Sequence, residues 1–255
     1  MTVYQWQTKV QSFDERRDLI IPGNKQQTVD FAANQFIEIG CKAIEKQGFF
    51  TVALSGGQTS IDVYKRLSQS PFKEQLDWTK VRCFWSDERS VPPSTSESNY
   101  FSAMKAGIEN LPIPPNKIFR MEAESNIEEN AKVYEELIRQ WVPSASFDLI
   151  ILGVGEDGHT ASLFPRTHGL HTHNRLVIAN YVPEKHTWRM SFTFECIHKA
   201  KAISIYAIGP NKAEIIRKVF SEQYNPDQFP VQKIGLASHK AVWILDQDAA
   251  QNLIL

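Results

Sequence analysis

The sequence has little glycine, few cysteines, no long apolar run and no surplus of charge of either sign, and each shortage excludes something. Glycine supplies 12 of 255 residues, below the usual share of roughly 7%, so the places where glycines gather carry information. The three cysteines, Cys41, Cys83 and Cys196, are odd in number and far apart, with no CxxC pair and no Cys/His ligand spacing. They read as reduced thiols of a cytoplasmic protein, not as a disulfide framework or a thiolate metal site. No apolar run approaches 18 residues, and the opening stretch MTVYQWQTKVQSFDERRD is polar. Neither a membrane span nor a secretory signal is expected. Lys and Arg number 28 against 29 Asp and Glu, a net charge of −1. That balance excludes a protein whose main partner is nucleic acid or an anionic membrane, since both call for a broad basic face. A small anion needs only two or three well-placed cations and remains open.

What is present is an alternation of buried-looking strands and amphipathic helices. Val29, Ala32, Ala33, Phe36, Ile37, Gly40 and Ile44 recur at helical spacing. Strands are expected at 49–54, 81–85, 147–152, 201–208 and 241–245, with shorter extended segments at 175–182 and 189–194. Ile61, Val63, Tyr64 and Leu67 predict a helix after the first strand. Ser125 and Glu128 have capping-box spacing and predict a helix running to Trp141. Ile215, Ile216, Val219 and Phe220 mark one over 211–220. This order predicts an α/β fold: one domain spanning 1–255, built on an open, mostly parallel, Rossmann-like sheet with helices on both faces. Ligands of such sheets sit beyond the carboxyl ends of the strands. The loops after Leu54, Trp85, Leu152 and Ile208 are therefore expected on one rim.

Five of the 12 glycines fall in two of those loops. Ser55-Gly56-Gly57-Gln58-Thr59-Ser60 places paired glycines and hydroxyls at a helix start, which suits a phosphate. A plain strand-to-helix turn would use the same residues. The Walker A pattern GxxxxGK[ST] is absent, which argues against an NTPase. Gly153-Val154-Gly155-Glu156-Asp157-Gly158-His159 contains GxGxxG, the dinucleotide fingerprint. However, no acidic residue lies between Asp157 and Glu184 to hold a ribose, and Pro165 cuts short the helix that would carry a pyrophosphate. What remains is Asp157 and His159 two residues apart, a pairing suited to acid–base work. Ser86-Asp87-Glu88-Arg89 reads either as a solvated turn or as a loop bringing Asp87 and Arg89 to the same rim. Lys212, in the first turn after Gly209-Pro210, opposes the helix dipole unless an anion sits there; Arg189 is a second candidate cation. His168, His171 and His173 lack a nearby carboxylate or an HExxH helix and read as a polar loop. Ser55 lacks the GxSxG context of a nucleophile.

Taken together, VALSGGQTS, WSDERSVPPSTSESNY, FDLIILGVGEDGHTASLFP, the Arg189 segment and GPNKAE resemble the 6-phosphogluconolactonase family in content and order. The related glucosamine-6-phosphate deaminases carry an Asn-Glu-Pro-like run where this chain has Ser162-Leu163-Phe164-Pro165. The resemblance implies hydrolysis of 6-phospho-D-glucono-1,5-lactone in the pentose phosphate pathway, without nucleotide or metal, and sets no oligomeric state. By position it makes His159 the general base, Arg89 the oxyanion stabiliser and Asp87 an organiser of the site. Asp157 either positions His159 or simply holds the loop. Ser55, Gly56, Gly57, Thr59, Arg189 and Lys212 match the phosphate-binding set. Ser60 departs from the proline usual there. A deaminase or isomerase of the same fold, a non-catalytic sugar-phosphate sensor and a dinucleotide binder are the competing readings.

Overall fold

Asn24 opens the first long helix by a reciprocal cap. Its side chain accepts from the Gln27 N–H, and the Gln27 side chain accepts from the Asn24 N–H. Helix α1 (Lys25–Gln47) therefore begins four residues before the apolar periodicity does. The computed structural model describes residues 6–253. The first five residues of the polar N-terminal stretch, and the last two of the expected 1–255 domain, lie outside the described residues.

After α1 the chain forms β3 (Phe50–Leu54), α2 (Gln58–Leu67), β4 (Val81–Trp85), β5 (Asp87–Arg89), α3 (Asn99–Lys105), α4 (Ile127–Trp141) and β6 (Leu149–Gly153). It continues through β7 (Val177–Val182), β8 (Thr187–Phe192), α5 (Phe194–His198), β9 (Ile203–Ala207), α6 (Ala213–Ser221), β10 (Ala241–Leu245) and α7 (Gln247–Ala250). Two short strands precede α1: β1 (Gln11–Ser12) and β2 (Arg17–Ile20). The main sheet has the order β1-β2-β10-β9-β6-β3-β4, and every pairing in it is parallel except β1 with β2. Strands β3, β6, β9 and β10 are buried along nearly their whole length, as expected of parallel strands covered on both faces.

The register shows which helices cover which face. Phe50, Ser204 and Val242 fall on one face; there Phe36 of α1 packs on Phe50 and Gln35 accepts from Ser204. Phe84 and Trp243 fall on the other, against Tyr134 of α4 and Phe220 of α6. One contiguous apolar core runs through both layers, so the described residues form a single α/β domain. Among them, no helix is long and apolar enough to cross a membrane.

Three expectations change. Asp87–Arg89 is not a solvated turn but a strand of a second, antiparallel sheet, β5-β8-β7. Asp87 and Glu88 are buried in it, and only Arg89 is exposed. Ser125 does not cap α4: the cap position is Asn126, left-handed at φ 43°, without a side-chain cap bond. Asn130 instead reaches back to the Glu122 and Ser125 carbonyls. Lys212 ends a 3-10 turn, Pro210–Lys212, and stands at the cap position of α6 instead of inside its first turn.

Candidate active site

Strand β3 leads by way of α2 to β4 on one side, whereas β6 leads to β9 on the other. The chain thus reverses direction between the neighbouring strands β3 and β6, the kind of switch point at which ligands of such sheets bind, beyond the strands' carboxyl ends. The two glycine-rich loops leave the carboxyl ends of β3 and β6, with the ends of parallel β4 and β9 beside them, so the four expected loops do share a rim.

The loop after β6 presents His159. Its Nδ1 lies 2.5 Å from Asp157 Oδ1, and its backbone N–H donates to the same oxygen at 3.1 Å. An ionised carboxylate only accepts, so Nδ1 carries the proton and Nε2 is left with its lone pair. Burial pushes the Asp157 carboxyl up, but the bond and charge of His159, with backbone donors, outweigh it and hold the group below its usual range. Glycine at 155 leaves room for the ring where it stands: a Cβ there would come within 2.1 Å of the imidazole, at Nδ1 and Cε1. The ring stacks on Phe164, centroids 4.0 Å apart and planes inclined by 20°. After β6 no α-helix forms until Phe194–His198. The GxGxxG run therefore has no helix N-terminus to offer a pyrophosphate, which removes the geometric basis of a dinucleotide site.

Ser162, three residues beyond His159, donates to Asp87 Oδ2 at 2.7 Å, and its N–H donates to Ser191 Oγ at 3.1 Å. The His159 loop is thereby tied to β5 and β8. Within that sheet Arg89 stands opposite Arg189, and Asp87 opposite Ser191, so all four side chains share one face. Burial lowers the Arg189 guanidinium pKa and neighbouring Arg89 lowers it further, offset in part by Asp87, Glu88 and Glu97. Arg189 Nε is buried without a partner among the described residues. On the opposite face Glu88 accepts from the Arg89, Asn99 and Tyr100 N–H groups and from Ser98 Oγ, so one carboxylate fastens β5 to the start of α3.

The loop after β3 joins through Asn99. Its Nδ2 donates to the Asp87 carbonyl, while its Oδ1 occupies the space a Gly56 Cβ would need, 2.1 Å away. Gly56 is thus required by Asn99, and Gly57 by its positive φ of 92° at the start of α2, where no side chain caps the helix. Ser55 is buried, its backbone N–H and C=O both bonded to the Tyr64 hydroxyl. Thr59 is half-buried in the first turn of α2. Lys212 Nζ donates to the Val154 carbonyl. Burial lowers its pKa, offset in part by Glu156 and Asp157. His168 and His171 bound a 3-10 turn, and His171 Nε2 faces the Asp227 carboxylate at 3.4 Å.

A family model described as "Glucosamine-6-phosphate isomerases/6-phosphogluconolactonase" matches residues 23–243. The chain belongs to this family. The 6-phosphogluconolactonase of Chlamydia pneumoniae is 40% identical over 239 residues, 93% of this chain and 91% of that one. The Haemophilus influenzae protein of the same name is 37% identical over 202 residues, 79% of this chain and 87% of the other. Among solved structures, the devB protein matches with a TM-score of 0.84 at 30% identity, covering 93% of this chain and 100% of that one. The Trypanosoma brucei 6-phosphogluconolactonase shares the fold, with a TM-score of 0.79 at 22% identity over 95% and 100% of the two chains.

Within this member of the glucosamine-6-phosphate isomerase/6-phosphogluconolactonase family, sequence reasoning missed Glu88, Asn99, Ser162, Phe164 and Ser191 as parts of the site. Ser162 and Phe164 sit inside the most distinctive motif, and their spacing from His159 was the available signal. Asn99 and Ser191 depend on strand pairings that short, polar β5 does not announce.

Proposed function

We propose that the protein hydrolyses 6-phospho-D-glucono-1,5-lactone to 6-phospho-D-gluconate, in the cytoplasm, as a step of the pentose phosphate pathway. The observation that carries the mechanism is the His159–Asp157 bond, which engages Nδ1 and leaves Nε2 available as a proton acceptor. In the proposed reaction Nε2 takes a proton from water as its oxygen attacks the lactone carbonyl. The resulting oxyanion is stabilised by Arg89. The tetrahedral intermediate then expels the ring oxygen, which receives the proton from His159, and the new carboxylic acid loses its proton to solvent. A δ-lactone is an activated ester, so this scheme needs no covalent intermediate and uses no cofactor. Arg189, Lys212 and the uncapped start of α2 at Gly57 and Thr59, with Ser55 and Gly56 shaping the turn, would hold the phosphate. Binding energy from that remote group aligns the carbonyl with the attacking water. Asp87, bridged by Ser162 to the His159 loop, would keep base and arginines in register.

A coupled assay tests the reading. Glucose-6-phosphate dehydrogenase generates fresh lactone, and acid release is followed against spontaneous hydrolysis. Acceleration abolished by His159→Ala is expected; a rate no higher than background would overturn it. Ammonia release from glucosamine 6-phosphate would favour the deaminase reading, and phosphate-ester binding without turnover a sensor.

A further inference from the structure

Asp157 fixes which nitrogen of His159 carries the proton, but a single in-plane hydrogen bond leaves the imidazole free to tilt about it. The Phe164 face, 4.0 Å from the imidazole centroid and nearly parallel to it, removes that freedom. Phe164 is itself firmly held. It is 5% exposed, and its carbonyl accepts from the Thr167 N–H and Oγ. Thr167 Oγ in turn accepts from fully buried Asn180, whose Nδ2 also holds the Ser162 carbonyl. Lys185, at the tip of the β7–β8 hairpin, places its ammonium 5.7 Å from the centre of the same phenyl ring. An aromatic face also favours the cation that His159 becomes when it takes the water proton.

We propose that Phe164 is a positioning residue for the lactonase reaction, its ring setting the plane of the His159 imidazole so that Nε2 points at the attacking water. The proposal rests on the hydrolytic reading above and concerns the orientation of the base, not substrate binding. A near-attack geometry lost by tilting the base costs turnover while leaving the phosphate clamp intact.

The test pairs kinetics with NMR of the substrate-free protein. In the wild type, ring current from Phe164 should move the His159 Hδ2 and Hε1 resonances upfield of their ordinary positions. Phe164→Leu should return them, lower kcat about tenfold and keep KM within twofold. Phe164→Tyr, which retains the aromatic face, should restore both. Three results would overturn the proposal: wild-type resonances at ordinary positions, a folded Phe164→Leu enzyme with kcat within twofold of wild type, or a kcat loss with the His159 resonances unmoved. The wild-type spectrum decides even if the leucine variant does not fold. Because that spectrum needs no substrate, failure of the lactonase reading shows separately, as wild-type protein without turnover.

Discussion

Arg89 and Arg189 stand directly opposite one another across antiparallel β5 and β8, so two guanidinium groups leave the same face of a three-stranded sheet. Like charges in that relationship weaken a sheet by about 0.2–1 kcal/mol. Partial burial and the unpartnered Arg189 Nε add to the cost. In the proposed reaction the phosphate at Arg189 and the oxyanion at Arg89 would bring negative charge to both groups, offsetting the repulsion and offering an acceptor to Arg189 Nε. The pair thus fits the roles proposed for it with substrate bound.

Replacing Arg189 by methionine should therefore leave the unliganded protein as stable as wild type or raise its Tm by about 1–3 °C. Inorganic phosphate, which should raise the wild-type Tm, should no longer do so, and KM for the lactone should increase at least about tenfold. Thermal melts with and without phosphate check this. A large loss of stability without ligand would mean that Arg189 serves the fold first.

Lys212 obeys the same logic with a different sign of evidence. Burial holds its folded pKa below the ordinary lysine value, with Glu156 and Asp157 only partly compensating. The unfolded chain thus binds this proton more readily, and stability falls as pH drops from the ordinary lysine range through the folded value. Below the folded value the cost is fully present. Lys212→Met should melt within about 1–2 °C of wild type at pH 7.5 despite losing its bond to the Val154 carbonyl. Its KM should rise about 10–100-fold with kcat largely kept, as initial rates over a range of lactone concentration would show.

Gly155→Ala is the sharpest steric test of the base. The new Cβ would lie 2.0 Å from His159 Nδ1 and 2.7 Å from Asp157 Oδ1. Both are side-chain atoms near the surface, so the clash is relieved by moving the imidazole and not by unfolding the domain. Turnover should fall about 100-fold or more, with a Tm change of only a few degrees. Full activity in this variant would show that the ring need not lie where it does.

The sheet was legible because parallel strands buried on both faces read as short apolar runs, as FTVAL, LIILG and AVWIL do. The rim loops followed from their order. What stayed hidden was held together by polar atoms. Strand β5 has no apolar signature, since its three residues are Asp87, Glu88 and Arg89, and its inclusion in a sheet comes from pairing with distant β8, Arg89 opposite Arg189. Glu88 looked like one more surface charge, yet it is 3% exposed and collects four donors, three of them backbone N–H groups. The Ser125–Glu128 spacing misled for a related reason: side-chain periodicity says nothing of the backbone at Asn126, whose left-handed conformation excludes the reciprocal cap. Gly56 was marked as permissive toward a ligand, but its immediate neighbour is Asn99, which no local pattern links to it.

Asp157→Asn should separate the tautomer from the charge. The carboxylate can only accept from Nδ1, whereas an asparagine amide can present its NH2 there, move the imidazole proton to Nε2 and block it as a base. A fall in kcat of about 100-fold with KM nearly unchanged is expected. The pH dependence carries the second half of the test. The Asp157 carboxyl lies below its ordinary value because the His159 bond and backbone donors outweigh the opposing effect of burial. A depressed carboxyl contributes its stabilisation above the ordinary aspartate range and loses it only as pH falls through the still lower folded value, below about pH 4. Between pH 5 and 8 the carboxylate therefore stays ionised, and the loss of turnover in Asp157→Asn should be present throughout that range. Background-corrected kcat measured at half-unit intervals checks this; Asp157→Asn turnover equal to wild type anywhere in that range would show that the carboxylate does not hold the imidazole as described.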